Sequence, residues 1–331
     1  MLVSFCVIAY NEEDFIQSLL DDIVKQTYPH GKTEIVLINS MSCDKTLQIM
    51  ENFKLQYEEE FFKISIYQNV KKTQPAAWNI AITNAVGDVI IRVDAHARVP
   101  GGFIEKNIKY ISGGEDITGG PRPSIISEEN NWQETLLLAE TSMFGSGIAA
   151  YRRKTQNVQY VDSMFHAAYR KEVFETSGLF NENLIRTEDN ELHYRMRKAG
   201  YKFCYTPEIN SYQYVRSSMP KMLKQKFQNG LWIGVTAYIC PKCLSPFHFV
   251  PLMFILGILV SSALACLWSP ILLALFWGAY WSVNLIMTIF TTINAKKARP
   301  IYAALPFLFF LLHLSYGIGT LSGLTLKKFI I

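Results

Sequence analysis

Charge all but disappears from the last quarter of the sequence, and that absence sets the broad plan of the chain. The chain has 331 residues with 32 Lys and Arg and 28 Asp and Glu, yet between positions 249 and 323 the only charged side chains are Lys296, Lys297 and Arg299. The run 249–268 is uncharged, and at about 1.5 Å per helical residue it reaches roughly 30 Å, the thickness of a bilayer's hydrocarbon layer. After Ser269 and Pro270 the run 271–290 is equally long and uncharged, so the two predict a tight helical hairpin. A third run, 301–323, is also long enough to cross, but it carries His313, Gly317, Gly319 and Gly323 and is followed by Lys327 and Lys328. Spanning and dipping back both stay open for it.

Basic residues flank these runs. Lys296, Lys297 and Arg299 lie between the second and third, and Lys221, Lys224, Lys226 and Lys242 precede the first, which predicts that these ends stay cytoplasmic. Met1 and Leu2 lead straight into an apolar stretch with neither a basic segment nor a small-residue cleavage site, so no cleavable signal is expected and the large N-terminal part stays in the cytoplasm. Six cysteines fit that compartment as reduced thiols, and Cys240-Pro-Lys-Cys243 lacks the second ligand pair of a structural zinc site. The net charge of +4 is mild and gathers near the apolar runs, pointing to anionic membrane lipid as a partner and away from nucleic acid.

The preceding part reads as a soluble α/β domain. Apolar strand patterns at 3–9, 34–39, 62–67 and 89–93 alternate with helical patterns at 14–25, 44–59 and 75–85, the last opened by a proline in its first turn. Such alternation predicts a mostly parallel sheet covered by helices on both faces. Ligands of such sheets sit beyond the carboxyl ends of the strands. Here those ends run into Tyr10, Asn11 and Glu12, into Asn39, Ser40 and Ser42, into Asn69, Lys71 and Lys72, and into Asp94 and His96. Any one of these is explained by loops being polar; four on one edge predict a site.

Asp94 and His96 stand two residues apart at the end of the fourth strand, where they can project to one side. A divalent cation held there would neutralise a nucleotide diphosphate leaving group. The alternative is an Asp that caps a turn.

Residues 4–13, SFCVIAYNEE, resemble the opening signature of the family 2 glycosyltransferases with the GT-A fold. IVLINSMSCDKT at 35–46 is similar to the family's second strand and its Ser-x-Asp-x-Thr turn, and Val93-Asp94-Ala95-His96 stands where the family carries Asp-x-Asp. Residues 73–98, TQPAAWNIAITNAVGDVIIRVDAHAR, resemble the succinoglycan-type branch that adds sugars to exopolysaccharide precursors, with Asp-Ala-His as its variant motif. The resemblance covers roughly residues 3–232. It implies that Ala9, Tyr10, Asn11, Glu12, Asn39, Lys72 and Asp94 bind the nucleotide sugar, and that Asp94 and His96 hold the metal, Mn or Mg, to which a neutral imidazole is suited. Asn39 occupies a position where many relatives have Asp; it accepts a hydrogen bond but brings no charge, which weakens any inference about the base.

The later motifs resemble the family's acceptor side. Gly119-Gly120-Pro121-Arg122-Pro123, Val161-Asp162 and Ala168-Tyr169-Arg170-Lys171-Glu172 look like its loops, with Arg170 expected on the acceptor. Thr187-Glu188-Asp189-Asn190-Glu191 aligns with its Glu-Asp motif, implying Glu188 and Asp189 as the catalytic pair and Asp189 as the base that takes the acceptor's proton. Acidic residues are also favoured in the first turn of any helix by the macrodipole. Leu223, Phe227, Leu231 and Val235 recur every four residues beside Lys221, Lys224 and Lys226, predicting a basic amphipathic helix in the membrane interface. Within it Gln228-Asn229-Gly230-Leu231-Trp232 resembles Gln-x-x-Arg-Trp, so Gln228 and Trp232 are expected near the acceptor sugar, or Trp232 at headgroup depth. Leu231 in place of Arg removes a phosphate-directed cation and disfavours a processive polymerase.

The expected organisation is a GT-A catalytic domain at 1–215, an interfacial segment at 216–248 and a transmembrane region at 249–325. The resemblance implies an inverting, metal-dependent transfer from a nucleotide diphosphate sugar, a UDP-sugar first, to a polyprenyl-diphosphate-linked glycan at a multi-pass cell membrane. The alternatives are a polyprenyl phosphate sugar synthase and a non-catalytic scaffold that binds nucleotide sugar and recruits polysaccharide assembly partners.

Overall fold

A computed structural model describes residues 1–145, 157–295 and 299–326. Lys296, Lys297, Lys327 and Lys328, on which part of the orientation expectation rests, lie outside the described residues. The chain divides into two compact units, Met1–Pro123 with Ala150–Tyr214, and Ser124–Ala149 with Val215–Ile331.

In the first unit β1 (Val3–Ala9), β2 (Thr33–Asn39), β3 (Lys63–Gln68) and β4 (Val89–Asp94) alternate with α1 (Ile16–Val24), α2 (Thr46–Tyr57) and α3 (Gln74–Asn84). The first two strands are buried along almost their whole length, because helices cover both faces, and both therefore read as continuous apolar runs. On one face Val3, Phe5 and Val7 pack with Ile16, Leu19, Leu20 and Ile23 of α1. On the other, Cys6, Val36 and Ile38 pack with Ala77, Trp78 and Ala81 of α3.

The chain continues through β5 (Ala97–Arg98), α4 (Phe103–Ser112), β6 (Ile117–Gly119), β8 (Gln159–Val161), β9 (Ala168–Arg170), α6 (Lys171–Ser177), α7 (Glu188–Lys198), β10 (Phe203–Tyr205) and β11 (Tyr212–Tyr214). Among the described residues, eight strands form one sheet in the order β3-β2-β1-β4-β9-β6-β10-β8. The pairs among β1 to β4 and the pair β6-β10 are parallel, while β9 runs antiparallel to both β4 and β6, and β8 antiparallel to β10. The sheet is mostly parallel, as the alternation predicts. Register brings the carboxyl ends of the first four strands to one rim, with Asn39 opposite both Ala9 and Gln68, and Asp94 opposite Ile8. A separate antiparallel pairing sets Gln213 of β11 against Ala97 of β5.

The second unit takes β7 (Ser124–Ile125) and α5 (Asn131–Thr141) together with α8 (Met219–Ile239), α9 (Val250–Leu267), α10 (Ile271–Ile293) and α11 (Leu305–Thr325). Residues 124–145 thus group with the C-terminal helices, whereas the sequence suggests one domain over 1–215. The reason is apolar: Leu136 and Ala139 of α5 share a core with Leu305, Leu308, Phe309 and Leu312 of α11. Among the described residues, three segments, Pro246–Leu267, Ile271–Ile293 and Pro300–Thr325, are long and apolar enough to cross a membrane.

Helices α8 and α11 run parallel and very close. Ser315 Oγ donates to the Leu223 carbonyl at 2.8 Å, and Tyr238 Oη to the Leu324 carbonyl at 2.7 Å. Between these points each helix presents a Gly-x-x-x-Gly pair. A Cβ on Gly230 would lie 2.0 Å from the Tyr316 carbonyl oxygen, and one on Gly319 would lie 2.2 Å from that of Phe227. The glycines of the third apolar run are packing residues. Of the predicted stripe on α8, Val235 is buried and Leu223, Phe227 and Leu231 are half-buried, while Met222, Lys226, Gly230 and Gly234, one position before each, form a second buried face. Hydrophobicity overlooks that second face for two reasons. Its glycines score as weakly apolar although they permit backbone contact, and its lysine is buried against Glu140 at 2.7 Å instead of facing the membrane surface.

Candidate active site

Three parallel strands lead into a residue with left-handed backbone. Asn11 follows β1 with φ 53°, Met41 follows β2 with φ 59°, and Lys72 follows β3 with φ 56°. A fourth non-glycine residue of this kind, His166 with φ 27°, precedes β9. Only Asn tolerates this region readily, and such strain concentrates where a ligand must be met. The first two loops are tied together: Asn11 N donates to Ser42 Oγ at 3.0 Å, Cys43 N to Asn11 Oδ1 at 2.8 Å, and Glu12 N to Thr46 Oγ1 at 2.8 Å. Asn39 is buried and engaged at both ends of its amide, donating to Gln68 Oε1 at 2.8 Å and accepting from Ser42 N at 3.1 Å. It shapes the loop rather than presenting a free group. Ala9 is buried beside it, while Tyr10 and Lys72 are exposed.

At the end of β4, Asp94 stands among cations and imidazoles. Its Oδ2 lies 3.6 Å from Nε2 of the buried His166 and 3.5 Å from Gln213 Nε2. Burial raises the proton affinity of Asp94, but His166, His96 and Arg122 outweigh it and hold the carboxyl well below its ordinary range. Arg122 is itself buried, its guanidinium carbon 4.2 Å from the Phe165 ring centroid. His96 Nδ1 meets Glu12 Oε1 at 3.1 Å, and its Nε2 meets Gln213 Nε2 at 2.7 Å. An amide nitrogen only donates, so that contact assigns the lone pair to Nε2 and the proton to Nδ1. Among the described residues, no group of three or more His, Cys, Asp or Glu side chains is gathered closely enough to hold an ion.

The acidic pair opens α7. Glu191, in the same first turn, pairs with Arg195 one turn on at 2.7 Å, as a helix-surface residue does. Asp189 does something else: its Oδ1 meets Nη2 of Arg92, on β4, at 3.0 Å, with both side chains buried. Burial and the neighbouring Asp189 push the Glu188 carboxyl well above its ordinary range, and its Oε2 is buried without a hydrogen-bond partner. Asp94 acts electrostatically on both Arg92 and Glu188, so the end of β4 and the start of α7 share one field.

The rim therefore gathers Ala9, Tyr10, Asn11, Glu12, Asn39, Lys72, Asp94 and His96, and Glu188, the neighbour of Asp189, lies within the electrostatic reach of Asp94. It does not gather Arg170, which pairs with Val89 at the opposite end of β4 and donates to the carbonyls of Ile111 and Glu115. Strand β9 is antiparallel to β4, and that turns Arg170 away from Asp94. Gln228 and Trp232 lie half-buried on α8, in the second unit. Sequence reasoning assigns no individual role to Arg92, Arg122, His166 or Gln213. For Arg92 a signal exists, since an arginine in an apolar strand needs a buried partner; for His166 none does.

The family model described as Glycosyl transferase family 2 matches residues 4–178. The dolichyl N-acetyl-alpha-D-glucosaminyl phosphate 3-beta-D-2,3-diacetamido-2,3-dideoxy-beta-D-glucuronosyltransferase of Methanococcus voltae is 30% identical, over 97% of this chain and 97% of its own length. The succinoglycan biosynthesis protein ExoA of Rhizobium meliloti is 26% identical, over 66% of this chain and 65% of its own. Among solved structures, the mannosyltransferase PcManGT from Pyrobaculum calidifontis, in complex with GDP-Man and Mn2+, superposes with a TM-score of 0.60 at 18% identity, covering 96% of this chain and 86% of that one. That likeness shows a shared fold. With the family model spanning more than half of the chain and one relative matched along almost all of it, the protein belongs to glycosyl transferase family 2.

Proposed function

We propose that this enzyme carries out an inverting transfer of a sugar from a nucleotide diphosphate donor to a sugar held on a polyprenyl phosphate or diphosphate, at the cytoplasmic face of a membrane. The observation that carries this reading is the common field of Asp94 and the Glu188-Asp189 pair. One end suits a leaving diphosphate and the other a proton acceptor. Asp189 takes the proton of the attacking hydroxyl while the anomeric carbon is attacked from the face opposite the leaving group. Burial and the adjacent Asp189 raise the proton affinity of Glu188, which disfavours a second negative charge beside the base. The tied loops after β1 and β2 form the nucleotide cradle, with Asn39 shaping it from beneath.

Asp94 and His96, two residues apart at the end of β4, are the side chains assigned to a divalent cation, and His166 stands beside Asp94. The buried Nε2 of His166 has no hydrogen-bond partner, and Glu12 stands behind His96 Nδ1 as a carboxylate commonly stands behind a metal-bound imidazole. When bound, the ion would neutralise charge on the diphosphate, and an imidazole beside a carboxylate suits manganese as well as magnesium. Three helices long and apolar enough to span support a membrane setting. The Methanococcus relative, whose name specifies a dolichyl phosphate-linked N-acetylglucosamine, supports a lipid-carried acceptor. Gln228 and Trp232 are assigned to the acceptor side.

Membranes containing the protein, incubated with labelled nucleotide sugars and lipid extract, should move label into the solvent-extractable fraction. Asp189→Asn should lower that rate by on the order of 100- to 10,000-fold. Undiminished transfer by this variant rejects the assigned base, and an undiminished rate after chelation rejects the metal. Hydrolysis of the lipid product shows whether a sugar was added to an existing glycan or directly to the carrier phosphate.

A further inference from the structure

Arg92 is the residue of β4 that the chemistry above leaves without a task. It is buried between apolar neighbours in VIIRVD, and burying a guanidinium is unfavourable unless its surroundings compensate. They do so in a particular way. Its guanidinium carbon lies 4.4 Å from the ring centroid of Trp78 and 4.4 Å from that of Phe180, with Tyr169 at 5.9 Å. Packing against ring faces leaves the edge of the guanidinium plane for hydrogen bonding, and that edge carries the 3.0 Å contact to Asp189 Oδ1. A second layer fixes the aromatic wall: Tyr169 Oη meets His193 Nε2 at 3.0 Å, and His193 Nδ1 meets Ser163 Oγ at 2.8 Å.

We propose that Arg92 is a positioning residue for the proton acceptor. An Asp in the first turn of a helix can turn back to accept from its own helix's N–H groups. Arg92 draws Asp189 off that alternative by holding Oδ1, and so reserves Oδ2 for the acceptor hydroxyl. Because β4 also ends in Asp94 on the same strand face, one short segment sets both the base and the donor-side carboxylate. This inference rests on the assignment of Asp189 as base.

The test compares Arg92→Ala, Arg92→Lys and Asp189→Asn in the full chain, measuring kcat and both KM values on detergent-solubilised protein. Melting temperature and nucleotide protection serve as checks of folding. Arg92→Ala should lose on the order of 100-fold in kcat with both KM values little changed. Guanidinium ion, against sodium at equal ionic strength, should restore part of that loss, and Arg92→Ala should add nothing in the Asp189→Asn background. A merely structural role would lower the melting temperature without rescue and without that masking. If Arg92→Ala does not fold, Arg92→Lys decides: a folded lysine variant with full kcat overturns the proposal, and one with reduced kcat at unchanged KM supports it. Wild-type kcat in Arg92→Ala beside an inactive Asp189→Asn rejects Arg92 and leaves the base standing, whereas an active Asp189→Asn rejects the base itself.

Discussion

Each unit of the molecule buries a tight ion pair between distant parts of the chain, and the two pairs are built differently. In the first unit Arg92 meets Asp189 at 3.0 Å inside a wall of aromatic rings, next to a carboxyl whose proton affinity burial raises and a rim of strained loops. In the second, Lys226 of α8 meets Glu140 of α5 at 2.7 Å, in a helical unit where α8 and α11 meet through glycines. A planar guanidinium stacked on rings is oriented before its partner arrives; a flexible ammonium is a point charge that its partner must hold. The first arrangement fixes the direction of a carboxylate, and the second fixes only which helices touch. Burial is thus common to both ion pairs, and the surroundings of the cation separate the two cases.

This contrast can be broken most decisively at Lys226. Lys226→Met should destabilise the protein by about 3–5 kcal/mol, because it removes the cation paired with the buried Glu140 carboxylate, while transfer per folded molecule stays unchanged. Adding Glu140→Leu should recover most of the lost melting temperature. A fall in kcat with no change in melting would place this pair in the chemistry and erase the distinction. A step smaller, Gly230→Ala should lower stability by about 1–3 kcal/mol, since its new methyl meets the Tyr316 carbonyl and both are backbone-bound. An unchanged melting temperature there would mean that the helices are not held at glycine distance.

The smallest effect belongs to the wall around Arg92. Burial brings His193 down to about 4 from its ordinary 6.5, outweighing the opposing pull of Asp189. As pH falls below about 6.5 the unfolded chain takes up this proton first, so stability present above that value is lost as pH drops towards 4. Between pH 6.5 and 5.5 the loss should be about 1 kcal/mol, and His193→Gln should flatten that part of the stability curve. An unaltered slope in the variant would show that His193 is not buried neutral.

How far the sequence reveals this molecule depends on the length of each element. Strands β1 to β4, six or seven residues long, stand out as apolar runs between helical patterns, and their order predicts the parallel half of the sheet. Strands β6, β8, β9 and β10 have three residues each, too few to show any period, so neither the antiparallel β9 nor its displacement of Arg170 is visible beforehand. The residues proposed for the donor are expected from motifs at strand ends, and the register brings those ends to one rim. His166 escapes because it acts from a loop that only tertiary folding brings to Asp94. On α8 the apolar stripe shows only part of the buried surface, because glycines and a lysine paired with Glu140 hide the adjoining face from any measure of hydrophobicity.

The spacing of Arg92 and Asp94 along β4 has a consequence for tolerance to change. Alternate residues of a strand share a face, so a shift of one position would send both side chains into the opposite layer, among Phe5, Val7 and the apolar residues of α1. Insertions or deletions just ahead of Val89 should thus silence donor and acceptor chemistry together, whereas equal changes in the loops beyond the rim would reach one partner at a time.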